Sequence, residues 1–143
     1  MADERVSGAA RRAVAGRAAG CCEYCSSPER FSADPFSVEH ITPRSAAGGN
    51  DPENLAFSCQ GCNSRKYNSV DATDPVTGEQ VPLFHPRHDR WSDHFAWNED
   101  YTRVVALTPV GRATSEKLQL NRAGVVDLRR VLRAAGEHPP AEG

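Results

Sequence analysis

Hydrophobic residues recur at helical spacing near the start of the chain. Val6, Ala10 and Val14 follow one another at intervals of four within an Ala- and Arg-rich segment. An apolar residue at every fourth position lines one face of a helix, and alanine favours helical backbone. The pattern therefore predicts a first helix over residues 5–19, ending near Gly20.

The end of the chain carries a second helical pattern. Val125, Leu128 and Leu132 form one apolar stripe within a predicted helix from about Ala123 to Ala135. Three arginines lie off this stripe: Arg129, Arg130 and Arg133. We expect their guanidinium groups to face solvent or the backbone of a nucleic acid, with a solvated helix face as the simpler interpretation.

Between these helices the hydrophobic runs are short and separated by turn-forming residues. A strand-like run over residues 36–41 precedes a loop rich in Pro, Gly and Asn over residues 42–53 and a second short strand over residues 54–59. Cys59 and Cys62 then lead into a predicted helix of about ten residues. The predicted order is strand, loop, strand, helix.

The segment before the last helix predicts a connection, a hairpin and another helix. Residues 71–92 contain three prolines and no periodic pattern, which predicts an extended connection. Residues 95–97 and 103–107 flank a turn-forming segment and predict a hairpin. The helix that follows has Thr108 as a suitable N-cap and Pro109 at its first position.

Composition and charge fit one small domain. With 143 residues, 38% of them hydrophobic, 10 prolines and 11 glycines, the chain can build one modest core with many loops. No apolar run approaches the ~18 residues of a membrane span, so we expect a cytoplasmic protein without a membrane partner. The net charge of -2 is unusual for a nucleic-acid-binding protein, but the acidic residues concentrate in the middle of the chain and both ends are basic.

The five cysteines indicate a metal site, because an odd number of cysteines in a reducing compartment favours metal binding over disulfides. Cys22 and Cys25 form one Cys-x2-Cys pair, and Cys59 and Cys62 form another. Four thiolates are the ligand set of a closed tetrahedral zinc site, which would help a small core to fold. We expect a structural Zn2+ there. Cys21 can replace Cys22 at Cys-x3-Cys spacing, but we expect it to be a bystander.

Glu39, His40 and Asn63 are candidates for a second, catalytic site. The oxygen atoms of Glu39 and Asn63 suit a hard cation such as Mg2+, and a neutral imidazole can take a proton near pH 7. Neighbours on a strand point to opposite faces, so Glu39 and His40 can serve one site only where the strand ends or bends, as the break at Thr42 and Pro43 allows. An isolated Glu-His pair is more often a surface or core feature.

The motifs over residues 22–66 resemble the HNH endonuclease family. The matching segments read CEYC, VEHITPRSAAGG and DPENLAFSCQGCNSRK. In that family an acid-His pair closes the first strand, an Asn begins the second strand, and a His or Asn lies on the helix. Here these residues are Glu39 with His40, Asn54 and Asn63, so the chain is similar to the H-N-N variant.

The resemblance implies a fold. The expected class is α+β, a small zinc-stabilised ββα-metal (HNH or His-Me finger) domain with flanking helices and a C-terminal hairpin plus helices. Residues 1–20 would form an N-terminal helix and residues 21–70 the nuclease core. Residues 71–143 would be an extension packed on that core.

The resemblance also implies metal-dependent hydrolysis of phosphodiester bonds in DNA, with RNA as an open alternative. His40 would be the general base, Glu39 and Asn63 would hold one Mg2+ or Mn2+, and Asn54 would hold the loop that aims His40. Three basic residues lie where they can meet phosphates: Arg44, Arg65 and Lys66. For the latter two, a solvated helix face is an equal alternative.

Two other interpretations stay open. A non-catalytic zinc module that binds nucleic acid or protein would make Glu39, His40 and Asn63 dispensable. Three C-terminal histidines are candidates for a second metal site: His85, His88 and His94. Loop histidines without a cysteine or carboxylate cluster are, however, more often surface or core groups.

Three aromatic residues are expected to be core rather than base-stacking groups: Trp91, Phe95 and Trp97.

Overall fold

The computed structural model describes residues 6–141, which fold into three antiparallel strand pairs and five α-helices. The first four elements are α1 (Gly8–Arg17), β1 (Ser37–His40), β2 (Leu55–Ser58) and α2 (Gln60–Lys66). The others are β3 (Asp71–Thr73), β4 (Gln80–Pro82), α3 (Trp91–His94), β5 (Phe95–Trp97), β6 (Val104–Ala106), α4 (Pro109–Leu118) and α5 (Ala123–Ala134). The fold class is α+β, as expected. Residue 5, where the first helix was predicted to begin, lies outside the described residues.

A strand-loop-strand-helix unit occupies the middle of the chain, in the predicted order. Strands β1 and β2 pair antiparallel, with Glu39 opposite Ala56 and His40 opposite Leu55. Every residue of β2 is buried, so this strand forms the floor of the unit. Helix α2 has seven residues rather than about ten, because the next residue, Tyr67, leaves helical geometry at φ 49° and ψ -120°.

The hairpin of β3 and β4 lies where an extended connection was predicted. The carboxylate of Asp74 accepts hydrogen bonds from the Val76 N–H and the Thr77 hydroxyl within the turn. It also receives two hydrogen bonds from the Arg112 guanidinium of α4, at 2.9 and 2.7 Å. The turn is therefore stabilised by one polar side chain and a distant arginine, which hydrophobic alternation cannot reveal.

The second hairpin and the helix after it follow their predictions. Strands β5 and β6 pair antiparallel, and the Thr108 hydroxyl caps α4 by accepting a hydrogen bond from the Gly111 N–H at 3.0 Å. Phe95 is buried in the core, and Trp91 and Trp97 pack against it half-buried, as expected. Among the helices within residues 6–141, none has the length and apolar character required to cross a bilayer.

Arg129 of α5 is buried, so the expectation that it faces outward is wrong. Its side chain is 2% exposed and donates four hydrogen bonds, to the carbonyl oxygens of Thr102, Leu120 and Cys25 and to the Asn121 amide oxygen. Three of these acceptors are backbone carbonyl oxygens in turns or bends, and one forked cation satisfies them together. Burial lowers the pKa of Arg129 to about 10, which keeps it charged at neutral pH.

The other two arginines of α5 are exposed, as predicted. Arg130 pairs with Asp127 one turn earlier in the helix at 3.0 Å. The Arg133 guanidinium lies 4.0 Å from the centre of the Tyr101 ring. Both groups therefore have a partner within the chain.

Candidate metal centre and active site

Four cysteine thiols meet in the interior and form what we call the cysteine cluster: Cys22, Cys25, Cys59 and Cys62. Their sulfur atoms all lie within 4.8 Å of one another, and the sulfurs of Cys25 and Cys59 are 3.7 Å apart. Tetrahedral zinc with Zn–S bonds of about 2.3 Å separates its sulfurs by about 3.8 Å, whereas a disulfide needs about 2 Å. The cysteine cluster therefore fits a structural zinc ion and contains no disulfide.

The cysteine left over lies outside the cluster, as expected. Cys21 is half-buried, and its thiol donates to the Ala19 carbonyl oxygen at 3.7 Å.

The cysteine cluster is the single group of three or more potential metal ligands in the described part of the chain, so the histidines considered for a second metal site do not form one there. His85 and His88 instead stack on each other, and His94 bonds to the Thr108 hydroxyl.

The thiol pKa values reflect contacts within the cluster. Hydrogen bonds, led by those with Cys22, lower the pKa of the Cys25 thiol and lower that of Cys59 to about 7. Burial raises the pKa of Cys22. Zinc binds thiolates, so each thiol of the cluster that still carries a proton would release it when the ion binds.

Arg122, the residue before α5, lies against the cysteine cluster. Its guanidinium approaches the Cys59 sulfur at 3.5 Å and the Cys62 sulfur at 3.6 Å. Burial alone would lower the pKa of Arg122, but the thiolates, led by Cys62, raise it. A side-chain Cβ on Gly61 would come within 2.6 Å of this guanidinium, so the missing side chain leaves room for the contact.

Glu39 and His40 present their side chains to different surroundings. The Glu39 carboxylate is buried, accepts a hydrogen bond from the Tyr24 hydroxyl and lies 3.5 Å from the Lys66 ammonium. Burial raises the pKa of Glu39, and Lys66 opposes that rise. His40 is half-buried, and its Nε2 lies 2.6 Å from the side-chain oxygen of Asn50.

Although neighbouring side chains on a strand point to opposite faces, Glu39 and His40 both line one open cavity of about 430 Å³, together with Asn63. Arg44 from the loop after β1 and Tyr67 after α2 form further parts of its wall. The strand ends at His40, and this is what lets neighbouring residues border the same space. The fold thus brings together three of the residues that the motifs single out.

Asn54 ties together the loop between β1 and β2. Its oxygen accepts from the Thr42 N–H at 2.8 Å, and its NH2 group donates to the carbonyl oxygens of Thr42 at 3.0 Å and Gly49 at 2.8 Å. A methyl group on Gly48 would overlap the Thr42 carbonyl, so only glycine allows the chain to pass this closely. We call this arrangement the Asn54 clasp.

The basic residues near the cavity differ in exposure. Arg44 and Arg65 are exposed, whereas Lys66 is 1% exposed and donates to the Ile41 carbonyl oxygen at 3.0 Å. Neither alternative for Lys66, a phosphate contact or a solvated helix face, matches this structure, because its ammonium is buried against the Ile41 carbonyl oxygen and the Glu39 carboxylate. No sequence pattern marks Tyr24, Asn50 or Arg122, since their contacts depend on chain reversals rather than on local spacing.

Comparison with known proteins identifies the segment that contains both sites. Residues 22–69 match the family model described as HNH endonuclease. Neither the curated proteins nor the solved structures contain a match to the chain. The match covers about a third of the chain and includes the cysteine cluster, the Asn54 clasp and the residues that line the cavity. The resemblance is therefore confirmed for residues 22–69: they match the HNH endonuclease family, which implies a nuclease-type hydrolase with a nucleic-acid substrate.

Proposed function

We propose that the protein is a metal-dependent endonuclease that hydrolyses phosphodiester bonds in DNA. The observation that carries this proposal is the cavity that Glu39, His40 and Asn63 line together. A carboxylate, an imidazole and an amide around one open space can hold a cation and accept a proton from water. The family match over residues 22–69 supports nuclease chemistry in general.

Glu39 and Asn63 would hold one Mg2+ or Mn2+. Each carboxylate oxygen has two lone pairs, so Glu39 keeps acceptor capacity beside its contacts to Tyr24 and Lys66. Magnesium in proteins often uses one or two such groups and keeps several waters, which the open cavity accommodates. When bound, the ion would stabilise negative charge on the phosphate during cleavage.

His40 would take the proton of the attacking water. With the Asn50 oxygen facing the ring, Nε2 donates to Asn50 and Nδ1 is the nitrogen left to accept a proton. The Asn54 clasp would keep the loop, and with it the ring, in position. Arg44, which lines the cavity, and the exposed Arg65 of α2 would contact phosphates of the substrate.

A plasmid cleavage assay tests the proposal. The protein should nick or linearise supercoiled plasmid with Mg2+ and lose this activity when EDTA is added. His40→Ala should lower the rate by about 100-fold or more. His88→Ala is a matched control, because His88 is exposed, stacks on His85 and does not line this cavity.

Metal binding separates the two proposed roles. Titration of Mg2+ or Mn2+ should show weaker binding for Glu39→Ala and nearly unchanged binding for His40→Ala. Equal loss of affinity in both variants would make His40 a metal ligand. Absence of cleavage with any divalent ion on DNA or RNA, together with intact nucleic-acid or protein binding, would instead support the non-catalytic zinc module.

A further inference from the structure

Tyr67 is an exposed aromatic residue in an unusual backbone conformation at the edge of the cavity. It follows α2 directly and has φ 49° and ψ -120°. Its side chain is 75% exposed. A residue that carries a Cβ rarely adopts positive φ, and glycine would occupy this conformation at lower cost.

Such backbone strain persists where the surrounding structure enforces it and is frequent at binding sites. The Tyr67 N–H completes the end of α2 by donating to the Asn63 carbonyl oxygen at 2.9 Å. This bond explains the path of the backbone but gives no reason for an aromatic ring. Folding alone therefore does not account for tyrosine here.

Tyr101 provides a comparison within the same chain, since it is a tyrosine with φ 62°. Its ring is half-buried and covered by the Arg133 guanidinium at 4.0 Å. Across the described residues, the Tyr67 ring has no such aromatic or cationic partner and its hydroxyl makes no hydrogen bond. The face of the Tyr67 ring is thus available to a ligand.

The surroundings of the Tyr67 ring specify the chemistry of that ligand. Tyr67 lines the same cavity as His40, Asn63 and Arg44. Exposed aromatic rings beside basic side chains bind nucleic acids whose bases are unpaired, because the ring stacks on a base while the cation meets the backbone. A base in a paired duplex is already stacked on its neighbours and offers no free face.

We propose that Tyr67 is a stacking platform for an unpaired nucleobase next to the scissile phosphate. This inference rests on the proposed nuclease function and adds a substrate class to it: single-stranded segments or duplexes with an unpaired base at the cleavage position. Tyr67 acts as a specificity-determining residue. Its place in the cavity wall sets the ring beside His40 and Asn63.

The test measures binding in the zinc-loaded protein carrying His40→Ala, which should slow cleavage by about 100-fold or more and so keep the nucleic acid intact during the measurement. Fluorescence anisotropy with a labelled 12-nucleotide single strand gives the affinity, and 2-aminopurine within the strand reports stacking through its quenching. Adding Tyr67→Ala should weaken single-strand binding by about tenfold and relieve the quenching. Tyr67→Phe should retain both, and binding of a fully paired duplex should change less than twofold.

Two further variants separate stacking from folding. Tyr67→Gly should weaken binding as Tyr67→Ala does while keeping or raising the melting temperature, because it relieves the strained φ. Phe31→Ala removes an exposed aromatic ring that pairs with Arg30 away from the cavity, and it should leave binding unchanged.

Single-strand binding that Tyr67→Ala does not weaken would overturn the stacking role and leave the nuclease proposal standing. Equal weakening for single strand and duplex would likewise overturn it, because a general backbone contact would explain the loss. Failure of the His40→Ala protein to bind any nucleic acid would overturn both proposals.

Discussion

At the scale of single residues, the buried pair of Glu39 and Lys66 sets the electrostatics beside the cavity. Their side chains are 5% and 1% exposed, so neither charge is solvated by bulk water. Removing one member of a buried pair leaves an uncompensated charge, which costs more than the pair itself contributes. The stability of the candidate site therefore depends on both residues being present.

Lys66→Met should lower the free energy of unfolding by about 3–5 kcal/mol, and the double variant with Glu39→Gln should recover most of the loss. Urea unfolding of the zinc-loaded proteins measures both values. Arg65→Met is the matched control, because Arg65 is the exposed neighbour and should cost less than about 0.5 kcal/mol. Full stability of Lys66→Met would contradict a structural role and return Lys66 to the phosphate-binding candidates.

The pH dependence of the free energy of unfolding tests the same pair independently. Burial raises the folded-state pKa of Glu39 above its ordinary 4.5, so the folded state binds its proton more tightly than the unfolded state does. This stabilising contribution is present at low pH and is lost as the pH rises through the folded-state pKa. Because Lys66 opposes the rise, Lys66→Met should move that loss to higher pH, and Glu39→Gln should abolish it.

At the scale of elements, the loop between β1 and β2 depends on one close backbone approach. Gly48 passes the Thr42 carbonyl and the Asn54 amide with no room for a side chain, whereas a Cβ on Gly49 would meet nothing within 4 Å. Two adjacent glycines thus have different structural requirements. The difference makes the Asn54 clasp testable without altering any polar group.

Gly48→Ala should lower the free energy of unfolding by about 1–3 kcal/mol, because the loop must shift to admit the methyl group. Cleavage should fall as well, by up to about 100-fold if the His40 ring moves by an ångström. Gly49→Ala should leave both quantities nearly unchanged. Equal effects of the two substitutions, measured by urea unfolding and the plasmid assay, would show that the clasp does not position the loop.

Local chemistry explains which elements could be predicted. The cap at Thr108, the β5–β6 hairpin and the strand-loop-strand-helix order depend on residues close together in sequence. The β3–β4 hairpin depends on the contact of Asp74 with Arg112, 38 residues away, and was missed. Helical periodicity likewise predicted an exposed Arg129, because it carries no information about the carbonyl oxygens of distant turns that accept its hydrogen bonds.

At the scale of the whole molecule, arginines from the C-terminal region compensate the charge of the cysteine cluster. Four thiolates around one divalent ion carry a net charge of about -2. Arg122 contacts two of the sulfurs, and Arg129 donates to the carbonyl oxygen of Cys25 at 3.1 Å. The motif could be predicted from cysteine spacing, but these partners could not, because nothing local links them to the cluster.

Arg122→Gln should accelerate zinc release to a colorimetric chelator by about tenfold to 100-fold, in line with the loss of metal affinity that follows when groups around a metal site are removed. It should also lower the melting temperature. Arg130→Gln is the control, because Arg130 lies nearby on α5, is exposed and pairs only with Asp127 among the contacts described. Identical release rates for the two variants would mean that Arg122 does not stabilise the bound ion.

The contact between Arg122 and the cysteine cluster has a consequence for synthesis on the ribosome. Cys62 is translated 60 residues before Arg122. At about 5–20 residues per second, the four thiols are available for roughly 3–12 s before their compensating cation exists. A nascent chain in that interval presents an unneutralised thiolate group, so we expect metal capture and oxidative damage to compete most strongly before the C-terminal region has been made.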